Sequence, residues 1–214
     1  MEILSKESAA RVAEILLKVE AVKLRPEQPF KWSSGWNSPI YCDNRIALSF
    51  PEERAYIKSQ LSMAVKKFFP DAEAVAGVAT AGIPQGALIA DTLNLPFVYV
   101  RPKPKDHGME NLIEGKITKG QKVVVVEDLI STGGSSLKAC EALKDAGFEV
   151  VGMVAIFNYG FKVADENFSN AHVKLVCLSN YSELIIKAES LNIVNSGQIQ
   201  SLNNWRTNPE SWGK

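Results

Sequence analysis

A chain of 214 residues in which 24 Lys and Arg balance 24 Asp and Glu has no formal net charge. Nothing in that balance favours a nucleic-acid backbone or an anionic membrane surface as a partner. With 46% hydrophobic and 22% charged residues, it has the composition of an ordinary globular protein, and its length suits one domain with a full core. Cys42, Cys140 and Cys177 are widely separated and odd in number. They predict neither a disulfide framework nor a metal cluster, and they fit a reducing compartment. The N-terminal MEILSKESAARVAEILL opens with an acid and turns amphipathic, unlike a signal peptide, and no apolar run approaches the ~20 residues of a membrane helix. The expectation is a cytoplasmic protein.

Val12, Ile15, Leu16 and Val19 recur at helical spacing and predict an amphipathic helix over 7–22. QPFKWSSGWNSPIYCDNR (28–45), rich in aromatics, Ser, Asn and Pro, reads as short strands and turns. Ser49-Phe50-Pro51-Glu52 has the spacing of a capping box with Pro in the first turn. The helix it opens places Ile57, Leu61, Val65 and Phe68 on one face. AVAGVAT (74–80) is then a predicted strand, 82–93 a helix, 96–101 and 122–127 strands, and 135–147 a helix closed by Gly147. Further strands are predicted over 149–157 and 173–179, followed by a helix from about 181 and a polar tail carrying Trp205 and Trp212. Apolar runs alternating with helices imply an α/β fold whose mainly parallel central sheet is covered on both faces.

The segment VVVVEDLISTGGSS (123–136) carries the chemistry. Four valines run into Glu127 and Asp128, where ligands gather at the carboxyl edge of an open α/β sheet. The Ser131-Thr132-Gly133-Gly134-Ser135 loop then feeds a helix start, whose unpaired amides and partial positive charge suit a phosphate monoester. Two carboxylates beside a phosphate cradle repel a second anion but accept hydrogen bonds from paired hydroxyls. The segment therefore suits a ribose 5-phosphate. A Ser/Thr/Gly loop alone is more often a turn with an N-cap, and two acids alone more often favour a helix dipole; their adjacency after a buried strand separates this case from both. The Gly-Lys-Ser/Thr ending of a P-loop is missing.

These residues resemble the phosphoribosyl pyrophosphate (PRPP) signature of the type I phosphoribosyltransferases. YVRPKPKDHGMENLIEG (99–115) is similar to the mobile loop of the orotate phosphoribosyltransferase family, and SSGWNSPIYCDNR (33–45) to its hood. The likeness spans nearly the whole chain. It implies one phosphoribosyltransferase domain over 1–214, with a hood at about 1–48 joined in part by the C-terminal segment 181–214, and a core at about 49–180. It also implies Mg²⁺-dependent transfer of phosphoribosyl from PRPP to N1 of orotate. A purine phosphoribosyltransferase, or a PRPP-sensing regulator of the same fold, is the alternative.

Residues 102–116 hold three lysines, three acids, a histidine, two prolines and two glycines, and so long an irregular segment between strands is usually functional or disordered. As the resemblance implies, Arg101, Lys105 and His107 contact pyrophosphate, with Lys105, Asp106 and His107 as the catalytic group. Glu127 and Asp128 hold the ribose hydroxyls, and Leu129, Ile130, Ser131, Thr132, Gly133, Gly134 and Ser135 cradle the 5′-phosphate. Ser131 also meets orotate. The loop is expected to close over the neighbouring subunit's site in a homodimer, and no metal-ligating residue is expected. Pro102, Ala81 and Ser33 stand where some members carry lysines, which leaves backbone amides and hydroxyls of residues 31–38 as the candidates for the orotate carboxylate.

Overall fold

The computed structural model describes residues 2–32, 35–103 and 112–213. The N-terminal part consists of β1 (Glu2–Ile3), α1 (Lys6–Lys18), β2 (Val22–Leu24), β3 (Phe30–Lys31), β4 (Asn37–Ser38), β5 (Ile40–Cys42) and a 3₁₀ turn (Asn44–Ser49). The alternating part follows as α2 (Pro51–Phe68), β6 (Ala74–Val78), α3 (Gly82–Leu93), β7 (Phe97–Val100), β8 (Ile113–Glu114), β9 (Lys122–Ile130), α4 (Gly134–Asp145), β10 (Glu149–Asn158), α5 (Lys162–Asn170) and β11 (Leu175–Asn180). Helices α6 (Tyr181–Ser190) and α7 (Ser196–Thr207) end the order. No described helix is long and apolar enough to cross a membrane.

The main sheet has the strand order β1-β11-β10-β9-β6-β7-β8. Every neighbouring pair is parallel except β7 with β8. Strand β9 lies at its centre, and its alternating side chains reach two separate cores. Val124 and Val126 pack in the cluster that holds Val12 and Leu16 of α1 and Ile57 and Leu61 of α2. Val123 and Val125 pack with Leu137 and Leu143 of α4 and Phe168 of α5. This two-sided burial is why the run reads as uninterrupted valine.

Some boundaries differ from the sequence expectation. Helix α1 ends at Lys18 rather than near 22, because Glu20 turns the chain at φ 55° into β2. The capping box at Ser49 does not form. The 3₁₀ turn extends through Ser49, so Phe50 takes the cap position and no side chain caps α2. Strand β9 continues past Glu127 to Ile130, held by Leu129 opposite Phe157 and Ile130 opposite Asn158 on β10. The polar tail contains α7, opened by a reciprocal capping box between Asn195 and Gln198.

Helix α7 packs against the N-terminal hairpins expected to form the hood. Trp205 is fully buried, and its indole donates to the Asn37 carbonyl at 3.2 Å. Its ring lies 5.5 Å from Trp32 and 5.9 Å from Tyr159. Burial of a ring this size is worth on the order of 3–5 kcal/mol, enough to hold the hood over the carboxyl edge of the sheet.

Candidate active site

Glu127 and Asp128 occupy the end of β9. Glu127 is buried, accepting the Ser136 hydroxyl from α4 at 3.0 Å and the Asp128 amide at 3.0 Å. Asp128 is half-buried. Its carbonyl accepts the Asn44 side-chain amide at 2.8 Å, which ties the hood's 3₁₀ turn to the strand end. Asn44 is itself satisfied, since its oxygen accepts the Cys42 thiol at 3.3 Å.

Burial pushes Glu127 up to about 8, with the adjoining Asp128 carboxyl adding to it. Burial also raises Asp128 above the usual carboxylate range. The two acids thus sit poised to accept hydrogen bonds or to meet positive charge, at a cost to the empty fold. The sign of that cost is testable. The folded chain keeps a proton on Glu127 that the unfolded chain, with an ordinary value near 4.5, has released. Stability therefore falls as pH rises from about 5 to 8, by up to about 1.4 kcal/mol per pH unit. Calorimetry at pH 5, 6, 7 and 8 should show this fall in the wild type and a flatter profile in Glu127→Gln. Parallel profiles would remove Glu127 as its source.

The loop after β9 is shaped by a single glycine. Gly133 has φ 82°, and a Cβ there would lie 2.6 Å from the Phe168 ring, so conformation and space both demand glycine. Asn167 of α5 donates to the Thr132 carbonyl at 2.9 Å and fixes the loop from outside. Helix α4 begins at Gly134 with no side-chain cap, leaving its first amides open toward the loop's concave side.

Two cavities meet at this loop. One, of about 650 Å³, lies between hood and strand end and is lined by Lys31, Trp32, Trp36, Tyr41, Leu129 and Ser131 among others. The second, of about 480 Å³, is bounded by Ala79, Arg101, Pro102, Gly134, Ser135 and Lys138. Aromatic walls on one side suit a flat ring, and the cations of the other suit phosphate oxygens. Ser131 and Thr132 face the first cavity, Gly134 and Ser135 the second.

A family model for the phosphoribosyl transferase domain matches residues 58–188. The chain is 66% identical over 203 residues to an orotate phosphoribosyltransferase of Cytophaga hutchinsonii, covering 95% of this chain and 97% of that one. The chain belongs to the orotate phosphoribosyltransferase family. The solved orotate phosphoribosyltransferase of Aeropyrum pernix shares its type I phosphoribosyltransferase fold at 33% identity and a TM-score of 0.74, over 86% of this chain and 99% of that one. That of Mycobacterium tuberculosis, solved in complex with PRPP, matches at 26% identity and a TM-score of 0.64, over 83% of this chain and 98% of the other.

Within this orotate phosphoribosyltransferase framework, Leu129, Ser131 and Thr132 line the first cavity and Arg101, Gly134 and Ser135 the second, whereas Glu127, Asp128, Ile130 and Gly133 line neither and the Ile130 side chain is buried in the core. Arg101 also pairs with Glu114 at 3.5 Å. Lys105, Asp106, His107 and Ser33 lie outside the described residues. Sequence reading pointed to residues 31–38 and to the 33–45 segment without singling out the side chains of Lys31, Trp36, Tyr41 and Asn44, and it missed Lys138. Lys138 lies one helical turn beyond Ser135 on α4 and lines the cavity with Arg101. The period of α4 carried that signal.

The donor set also bears on Mg²⁺. Among the described residues no group of three or more His, Cys, Asp or Glu could hold a metal. The Glu127–Asp128 pair, both acids raised by burial and Glu127 further by the Asp128 charge, would suit a cation held chiefly by substrate oxygens rather than by a protein cage.

Proposed function

We propose that the protein transfers the 5-phosphoribosyl group of PRPP to N1 of orotate, giving orotidine 5′-monophosphate and pyrophosphate in pyrimidine biosynthesis. The observation that carries this reading is the acid pair at the end of β9, followed by an open-ended helix start between an aromatic and a cationic cavity.

In the proposed mechanism the amides of Ser131 to Ser135 and the α4 terminus hold the 5′-phosphate. Glu127 and Asp128 accept the ribose 2′- and 3′-hydroxyls and place C1 between the cavities. Ser131 reaches toward orotate, whose ring lies among the aromatic walls. As N1 attacks and pyrophosphate leaves, C1 gains cationic character close to the two carboxylates, and Arg101, Lys105 and His107 take up the negative charge of the leaving group. Asp106 completes that catalytic group. Mg²⁺, when bound, would supply further charge neutralisation on the phosphates, with Glu127 and Asp128 orienting the substrate for it.

The 214 residues act in this reading as one phosphoribosyltransferase unit, with hood, core and C-terminal segment as given above. The 102–116 segment closes over the neighbouring subunit's site in a homodimer, excluding water from an intermediate prone to hydrolysis. The reaction runs in the cytoplasm, where the three free cysteines stay reduced.

The test is to mix purified protein with PRPP and Mg²⁺ and offer orotate, uracil, adenine and hypoxanthine separately, following ultraviolet absorbance. Consumption of orotate alone is expected. Consumption of a purine would keep the phosphoribosyl half of the site and overturn the base assignment. PRPP binding with no base consumed would favour a sensing role.

A further inference from the structure

We infer that Lys31 is the counter-charge for the substrate's carboxylate, and so selects orotate over bases that lack one. The inference rests on the orotate reading above and adds a residue to it.

Lys31 ends β3 and pairs with Asn37 across a tight hairpin. The Trp36 carbonyl accepts the Trp32 amide at 2.9 Å and the Trp32 carbonyl accepts the Gly35 amide at 2.9 Å. Lys31, Trp32 and Trp36 line the larger cavity, and among the described residues Lys31 is the sole cation in a lining otherwise made of aromatic, aliphatic, thiol and hydroxyl groups. A carboxylate entering that space meets the negative faces of Trp32, Trp36, Tyr41 and Tyr159. Without a cation its desolvation would be uncompensated.

Three other hood cations are engaged elsewhere. Arg45 makes two hydrogen bonds to Asp43, at 2.7 and 2.8 Å, which hold the Asp43 carboxyl below its usual range. Lys23 pairs with Glu20 at 3.0 Å. The Arg25 guanidinium lies 5.2 Å over the Phe30 ring. None of the ion pairs among the described residues engages Lys31. A long exposed ammonium lining the same cavity as Ser131 can therefore meet the orotate carboxylate while N1 faces the ribose.

The test compares wild type, Lys31→Met and Lys31→Arg by steady-state kinetics, together with inhibition by uracil, which keeps the ring and lacks the carboxylate. Loss of one charge-assisted contact is expected to raise the KM for orotate by about 10- to 100-fold. The kcat and the KM for PRPP should stay within about 3-fold, as expected for lost ground-state binding. Lys31→Arg should recover most of the loss, and uracil inhibition should be the same in all three proteins. An unchanged orotate KM in Lys31→Met would overturn the inference. So would equal weakening of orotate and uracil, which would make Lys31 a shaping residue. A wild type that ignores orotate would overturn the orotate reading itself, and this assignment with it.

Discussion

Gly82→Ala is expected to lower the melting temperature by about 6–12 °C and to cut turnover, although position 82 carries no reactive group. A Cβ at Gly82 would lie 2.4 Å from the Val126 carbonyl oxygen and 3.5 Å from the Glu127 Cα. Both are backbone atoms of a central strand, so no rotamer change relieves the clash. The Gly82 carbonyl also approaches β6 so closely that a Cβ at Gly77 would lie 2.7 Å from it, so α3 is packed tightly against both strands. Overpacking of this kind costs about 3 kcal/mol, which in a chain of this size moves the transition by the amount stated. The activity loss follows because the displaced backbone is the one that ends in Glu127 and Asp128. Gly134→Ala is the stability control, since a Cβ there would meet nothing nearer than the Thr132 hydroxyl at 3.9 Å. It should melt within about 2 °C of wild type. If Gly82→Ala melts there too, the close approach of α3 to β9 is not what fixes the strand end.

The alternating core was legible because its signals are local. The valines of β9, the aliphatic runs of β6 and β10 and the Gly147 turn, at φ 99° after α4, each declare themselves within a few residues. What failed was set by distant partners. The extension of β9 to Ile130 depends on β10, and nothing in Leu129 or Ile130 alone requires it. Helix α7 buries only Leu202 and Trp205, too few for a visible apolar period, although the Asn195–Gln198 box was there to be read. Helix α5 buries only Ala164 and Phe168 and escaped for the same reason. Strand β1 is two residues long and exists because β11 offers it a partner.

The acids, loop and helix start of the candidate site were legible because they are contiguous, following one another in the chain. The larger cavity was not. Its walls come from β3 to β5, from the loop after β9 and from Tyr159 after β10. Asn44 meets the Asp128 carbonyl across a separation of 84 residues, and Trp205 meets Asn37 across 168. No periodicity encodes such contacts. The two acids illustrate the limit from the other side. Their identity was plain in the sequence, whereas the burial that raises them depends on α4 and the hood folding over them.

Asp128→Asn should reduce kcat/KM for PRPP by about 100-fold while making the empty protein more stable. Two terms lead to this result. A carboxylate accepting ribose hydroxyls contributes about 1.5–3 kcal/mol per charge-assisted hydrogen bond, and its negative charge also faces the cationic C1 of the transition state. Asparagine keeps the size and one acceptor but loses the charge. Both kcat and the KM for PRPP should therefore suffer, whereas the KM for orotate, set among the hood's side chains, should change by less than about 3-fold. The stability term runs the other way. Burial raises Asp128 above its ordinary range, and its charge raises Glu127 as well, so a neutral side chain relieves both. The Asn44 contact survives, because it is made to the Asp128 carbonyl rather than to the side chain. Kinetics at fixed orotate, paired with calorimetry at pH 8, decide the matter. Unchanged PRPP kinetics would remove Asp128 from the ribose contact. A less stable variant would mean that the carboxylate braces the empty fold, and the cost assigned to the acid pair would then be wrong.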